Sequence, residues 1–117
     1  MNDRPRYTLK HIGINNPDAA SADAMTDLLC SLFNVERARE TPVSYFTDTL
    51  FEIMKHPNRG DYGHFALQTD DVEGAMADLA QRGITFQEDT IRRDENGKVN
   101  FVYLQQQIGG FAIHLTT

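Results

Sequence analysis

The chain has 117 residues, of which 40% are hydrophobic and 24% charged, and its net charge is −6. That length fits one domain with a core large enough to need no staples. No Lys/Arg cluster exceeds the Arg92-Arg93 pair, the single Cys30 excludes an internal disulfide framework, and no segment nears the roughly 20 apolar residues of a membrane span.

The first ten residues, MNDRPRYTLK, lack the apolar run of a secretory signal, and the expectation is a cytoplasmic protein. Residues 1–6 are polar, contain Pro5, and are expected to fray. A first strand is predicted from about Tyr7 to Asn15. Asn16-Pro17-Asp18 breaks it and offers a helix cap. The helix that follows runs to about Phe33. Met25, Leu28, Leu29, Leu32 and Phe33 fall at helical spacing, which predicts them as its inward face. Residues 35–40, VERARE, are a short strand candidate. Pro42 marks a turn, and the β-branched and aromatic run Val43 to Thr47 is a strand. Asp48-Thr49 reads as a tight connection into a strand from Leu50 to Lys55.

His56-Pro57-Asn58-Arg59-Gly60-Asp61 is the most loop-like stretch and divides the chain nearly in half. After it, Tyr62-Gly63-His64-Phe65-Ala66-Leu67-Gln68-Thr69-Asp70-Asp71 reads as a strand entering a helix cap. Val72, Ala75, Met76, Leu79 and Ala80 mark the apolar face of the second helix, and Gly83 its stop. Short strands are predicted at 84–87 and 89–93. Asn96-Gly97 is a hairpin signal, leading to strands at Lys98 to Gln105 and Phe111 to Thr116.

Alternation places His64 opposite Phe65 and Leu67, and His114 opposite Ile113 and Leu115. Near the N-terminus, Lys10-His11-Ile12-Gly13-Ile14 repeats the pattern, and Glu52 stands opposite Phe51 and Ile53. The interval from His11 to His64 is 53 residues, a period that repeats only twice and so indicates a duplication. The expected fold is α+β: two tandem βαβββ modules, about 7–56 and 62–117, forming one domain with a curved mixed sheet and helices outside. His11, Glu52, His64 and His114 then point together into a cup. A single buried histidine is usually a satisfied core residue. Here three of the four histidines, with one carboxylate, occupy equivalent places. Such a set suits a divalent ion such as Zn, Ni, Mn, Fe or Co. Gly13, Ala66 and Ala112 leave room beside them. Tyr45, Thr47, Tyr103 and Gln105 are candidates for lining the substrate pocket, and His56 is expected in solvent.

At these residues the chain resembles the vicinal-oxygen-chelate superfamily, the glyoxalase/bleomycin-resistance/dioxygenase group. YGHFALQTDD carries most of the resemblance, together with the helix ending at Gly83 and the strand after Gly109-Gly110. The resemblance implies that the metal ligands come from the first and last strand of each module, hence His11, Glu52, His64 and His114. Glyoxalase I-like members have a glutamate where this chain has His114, which makes the site one charge more positive. The tail IGGFAIHL is similar to a small subfamily associated with keto-deoxy-phosphogluconate aldolases, which implies a sugar-acid or 2-oxo-acid ligand. The implied activity is a metal-dependent lyase or isomerase that chelates vicinal oxygens of a small 2-oxo or hydroxy acid and stabilises an enediolate. Glu52 is the expected catalytic base. The alternatives are a metal-free small-molecule binding module and an accessory domain of an aldolase. A homodimer is expected, with no nucleic-acid or membrane partner.

Overall fold

A computed structural model describes residues 4–117. The expected fraying of residues 1–3 lies outside the described residues, while Arg4 pairs with Asp78 at 3.5 Å. The chain runs β1 (Thr8–Ile14), α1 (Ala19–Phe33), β2 (Arg37–Glu40), β3 (Ser44–Thr47) and β4 (Phe51–Met54). The second half repeats that order as β5 (Gly63–Gln68), α2 (Val72–Ala80), β6 (Phe86–Arg93), β7 (Val99–Leu104) and β8 (Phe111–Thr116). All eight strands form one mixed, curved sheet in the order β2-β3-β4-β1-β5-β8-β7-β6. The predicted strands at 84–87 and 89–93 are a single β6, whose register against β7 shifts between Gln87 and Arg92.

The two halves meet at the antiparallel β1–β5 pair. Each first strand also runs parallel to the last strand of its own half, β1 with β4 and β5 with β8. A parallel neighbour requires a crossover, and the intervening helix and strands supply it. Both helices are capped as their sequences dictate: the Asp18 carboxylate accepts from the Ser21 amide at 2.8 Å and Asp71 from Gly74 at 3.0 Å. Asn34 ends α1 in the left-handed region, and Gly83 takes a positive φ just beyond α2.

The best-packed core lies under α2, where Val72 and Ala75 meet Val99, Val102, Leu104, Ile113 and Leu115. The first helix packs differently from the expectation. Ala22 and Thr26 are its buried residues, Met25 and Leu29 are half-buried, and Leu28, Leu32 and Phe33 are exposed at 58%, 62% and 63%. Small side chains at Ala22 and Thr26 allow α1 to sit close on β3 and β4. The Thr26 hydroxyl donates to the Ala22 carbonyl at 2.7 Å and so costs little in burial. The helix is thereby turned so that part of its apolar stripe faces outward. Among the described residues, no helix is long and apolar enough to cross a membrane.

Candidate metal centre

Register brings the four odd polar residues together. Gly13 lies between Glu52 on β4 and His64 on β5, and Ala66 lies between His11 on β1 and His114 on β8. Large polar and small side chains thus alternate over four adjacent strands. The small ones are required. A Cβ on Gly13 would stand 2.0 Å from Cε1 and 2.3 Å from Nδ1 of His64, so the imidazole lies directly over the glycine backbone.

The donors converge. His11 Nε2 is 3.2 Å from His64 Nε2 and 3.3 Å from Glu52 Oε1, and His64 Nε2 is 3.0 Å from the same oxygen. The three histidines offer ligand atoms that all lie within 4.8 Å of one another. Donors about 2.1 Å from a shared ion stand about 3.0 Å apart when cis in an octahedron and about 3.4 Å apart in a tetrahedron. The measured separations fall in that interval. His114 Nδ1 adds a second observation, being buried with no hydrogen-bond partner. Such an atom costs free energy unless something fills its place. An N/O donor set of this spacing, with an orphaned imidazole nitrogen beside it, fits a divalent ion.

The electrostatics favour the ligand-ready forms of two groups. Burial pushes the Glu52 carboxyl up, but hydrogen bonds from His11, His64 and Ser44 outweigh it and hold the group well below the usual carboxylate range. Ser44 donates to Glu52 Oε2 at 2.7 Å, leaving Oε1 aimed at the histidines. Burial, then the proximity of His64 and His11, push His114 down to about 3, so its ring is neutral and can offer a lone pair. Glu52, His64 and His114 are 9%, 5% and 5% exposed, whereas His11 is more open.

Aromatic rings wall the cluster. Phe101 stacks on His114 with centroids 4.5 Å apart, Tyr103 meets the same ring at 5.0 Å, and Phe46 meets His11 edge-on at 5.5 Å. Burial raises the Tyr103 phenol to about 12, so it stays protonated. A guanidinium covers each wall ring: Arg39 lies over Phe46, Arg59 over Tyr103 and Arg92 over Phe101. Arg39 and Arg92 are separated by the same 53 residues as His11 and His64.

Of the expected pocket residues, Tyr103 meets the His114 ring, and Thr47 lines a cleft together with His11 and Phe46. Tyr45 pairs across the strands with Ile53, on the helix side, where its ring lies under Arg37 and Lys55. Thr47 shares that parity, and its hydroxyl donates to the Thr49 carbonyl at 2.7 Å. The β3 residues beside Glu52 are Ser44 and Phe46, which the sequence reading missed. Gln105 lies beyond β7, is exposed, and accepts from the Thr85 hydroxyl at 2.9 Å. Phe101 was also missed, although alternation with Tyr103 already puts it on the cup face. His56 is exposed, as expected.

Compared by sequence, the chain matches no family model and no curated protein. By structure it is similar to a methylmalonyl-CoA epimerase at 20% identity, covering 99% of this chain and 97% of that one, with a TM-score of 0.65. A variant of the Streptomyces coelicolor methylmalonyl-CoA epimerase, in complex with 2-nitronate-propionyl-CoA, matches at 20% identity over 94% of this chain and 93% of its own, with a TM-score of 0.63. A hypothetical protein from Bacillus halodurans matches at 15% identity over 94% and 93%, with a TM-score of 0.66. At such identities the likeness is one of fold: the chain has the architecture of the methylmalonyl-CoA epimerases over nearly its whole length.

Proposed function

We propose that this chain is a metal-dependent isomerase or lyase of the vicinal-oxygen-chelate superfamily, acting on a small 2-oxo or hydroxy acid. The observation that carries the proposal is the convergence of His11, His64 and Glu52 at 3.0–3.3 Å, with His114 beside them. Two considerations support it. The YGHFALQTDD strand resembles that superfamily, and the structures sharing the fold include epimerases, which are isomerases. The extension to sugar acids rests on the IGGFAIHL tail.

In this reading His11, Glu52, His64 and His114 would hold the ion. When bound, the ion supplies Lewis acidity to two neighbouring substrate oxygens. Glu52 is the base. Ser44 anchors Oε2, so Oε1, on leaving the ion during turnover, would take a proton from the carbon beside the substrate carbonyl and return it. Tyr103, protonated through the physiological range, donates a hydrogen bond to substrate oxygen. Phe46 and Phe101 restrict water at the two sides of the cluster. A homodimer accords with the exposed Leu28, Leu32 and Phe33 of α1.

The test has two parts. Protein purified without chelator is assayed for stoichiometric metal and for thermal stabilisation by Zn, Ni, Mn and Co; His64→Ala is expected to abolish the stabilisation. Candidate acids are then incubated in deuterium oxide, and deuterium entering beside the carbonyl is expected with the wild type and not with Glu52→Gln. Absence of both metal and metal-induced stabilisation overturns the metalloenzyme reading and leaves a metal-free binding module or an aldolase accessory domain.

A further inference from the structure

The second half of the cup carries an anion-binding arrangement that metal chelation does not use. A cleft of about 200 Å³ beside the cluster is lined by Arg59, Thr90, Arg92, Phe101 and Tyr103, with Asp89 at its wall. The two rings of this cleft are the two that contact His114. Arg59 lies 4.6 Å from the Tyr103 centroid and Arg92 4.4 Å from the Phe101 centroid.

The charges of these arginines are not neutralised. Arg37 pairs with Asp23 and Asp27, and Arg82 with Asp78, as the acidic balance of the chain would lead one to expect. Among the described residues, neither Arg59 nor Arg92 makes an ion pair, although Asp89 lines the same cleft. Arg59 donates to the neutral amide of Gln87. A guanidinium held over a ring by the cation–π contact keeps N–H donors at its edge for an oxyanion, and Arg59 spends only one of its own on Gln87. Two guanidiniums and a phenol therefore line one cleft whose two rings contact His114, and among the described residues neither guanidinium is ion-paired.

We propose that the Arg59–Arg92 cleft binds a second anionic group of the substrate, a carboxylate or a phosphate at the end remote from the oxygens that face the metal. The inference rests on the metal-chelate reading and narrows its substrate class to oxo or hydroxy acids with two anionic ends. The opposite cleft, about 350 Å³ lined by Lys10, His11, Arg39, Phe46, Thr47 and Asp48, has one arginine rather than two and is not assigned this role.

The experiment uses the full chain with saturating manganese and two pairs of probes. 2-Oxoglutarate is compared with 2-oxopentanoate, and 3-phosphoglycerate with glycerate, by titration calorimetry. Within at least one pair, the compound with the distal anion is expected to bind tenfold or more tightly; the pair that shows the gain names the group. Arg59→Gln and Arg92→Gln are each expected to remove most of that gain, and Arg39→Gln to leave it. All three variants should keep the metal-induced thermal shift of the wild type. No gain in either pair, or a gain that survives the double substitution, overturns the proposal while the metal shift persists. Loss of the metal shift in the wild type itself overturns the metal-centre reading and this inference with it.

Discussion

Replacing Gly13 with Ala adds one methyl group where the structure places the imidazole of His64. The new carbon would meet Cε1 at 2.0 Å and Nε2 at 2.7 Å, well inside contact distance, so the ring must move. The Gly13 backbone is not in the left-handed region, and alanine is therefore tolerated there. Restricting the unfolded chain even favours folding by about 0.5–1 kcal/mol. Against that stand about 1–3 kcal/mol for an overpacked site and about 1.5–3 kcal/mol for the displaced contact between His64 and the Glu52 carboxylate. The net for the metal-free protein is a loss of about 1.5–5.5 kcal/mol, upward of about 5 °C in Tm. The larger effect is on the ion. Metal at a hundredfold excess over its Kd adds about 2.7 kcal/mol to the wild type, and a site that has lost His64 should show little of that gain. Differential scanning calorimetry of Gly13→Ala with and without zinc reads both quantities. A variant that keeps the full metal-induced rise in Tm would refute the placement of His64 over the glycine.

Three further outcomes are expected. Ser44→Ala removes the 2.7 Å hydrogen bond to Glu52 Oε2 and should cost about 1.5–3 kcal/mol in urea unfolding; metal affinity should fall about tenfold or more, because a ligand has lost its orienting partner. Chelator-treated protein should lose stability as pH falls from 7 to 5. His114 is held below its ordinary 6.5, so the unfolded chain takes up the proton first, and the loss is about 2 kcal/mol over that interval. Glu52, also held low, adds to the decline once the pH falls into the ordinary carboxylate range, where the unfolded chain protonates first. His114→Gln should flatten the upper part of this profile, and an unchanged slope would argue against His114 as its source. Ile53→Ala, at a fully buried site, should cost about 2–5 kcal/mol, whereas Leu32→Ser on the exposed side of α1 should change chain stability by less than about 0.5 kcal/mol. Sedimentation of Leu32→Ser at matched concentration tests whether that side holds a homodimer together.

The cup itself was legible because its two faces differ so sharply in composition. Ile12 and Ile14, Phe51 and Ile53, Phe65 and Leu67, and Ile113 and Leu115 all require the helix side, and alternation then sends His11, Glu52, His64 and His114 the other way. The β3 pocket residues were lost at one turn. With Asp48-Thr49 as a two-residue connection, Tyr45 would stand opposite Glu52. The actual connection is one residue longer, because Leu50 takes φ 64°, and Phe46 pairs with Glu52 instead. A glycine at 50 would have announced that geometry; a leucine conceals it, and the slip exchanges every side chain between faces. The orientation of α1 was hidden for another reason. Periodicity marks an apolar stripe but does not say how closely a helix approaches its sheet. Ala22 and Thr26 permit a close approach at the expense of burying Leu28 and Leu32.

The β1–β5 pair has a consequence for motion. The two halves share a hydrogen-bonded ladder running from Thr8 opposite Gln68 to Ile14 opposite Gly63. They therefore cannot swing apart about a hinge without breaking that ladder, and the cup does not open and close as two jaws would. Adjustment to a ligand belongs to the rims. There β2 holds β3 through a shifted register, and β6 loses its regular pairing with β7 between Gln87 and Arg92. Hydrogen exchange should be slowest along the middle seam and fastest at these two edges, so that the ligands are held on the stiffest part of the molecule and substrate is admitted across its loosest.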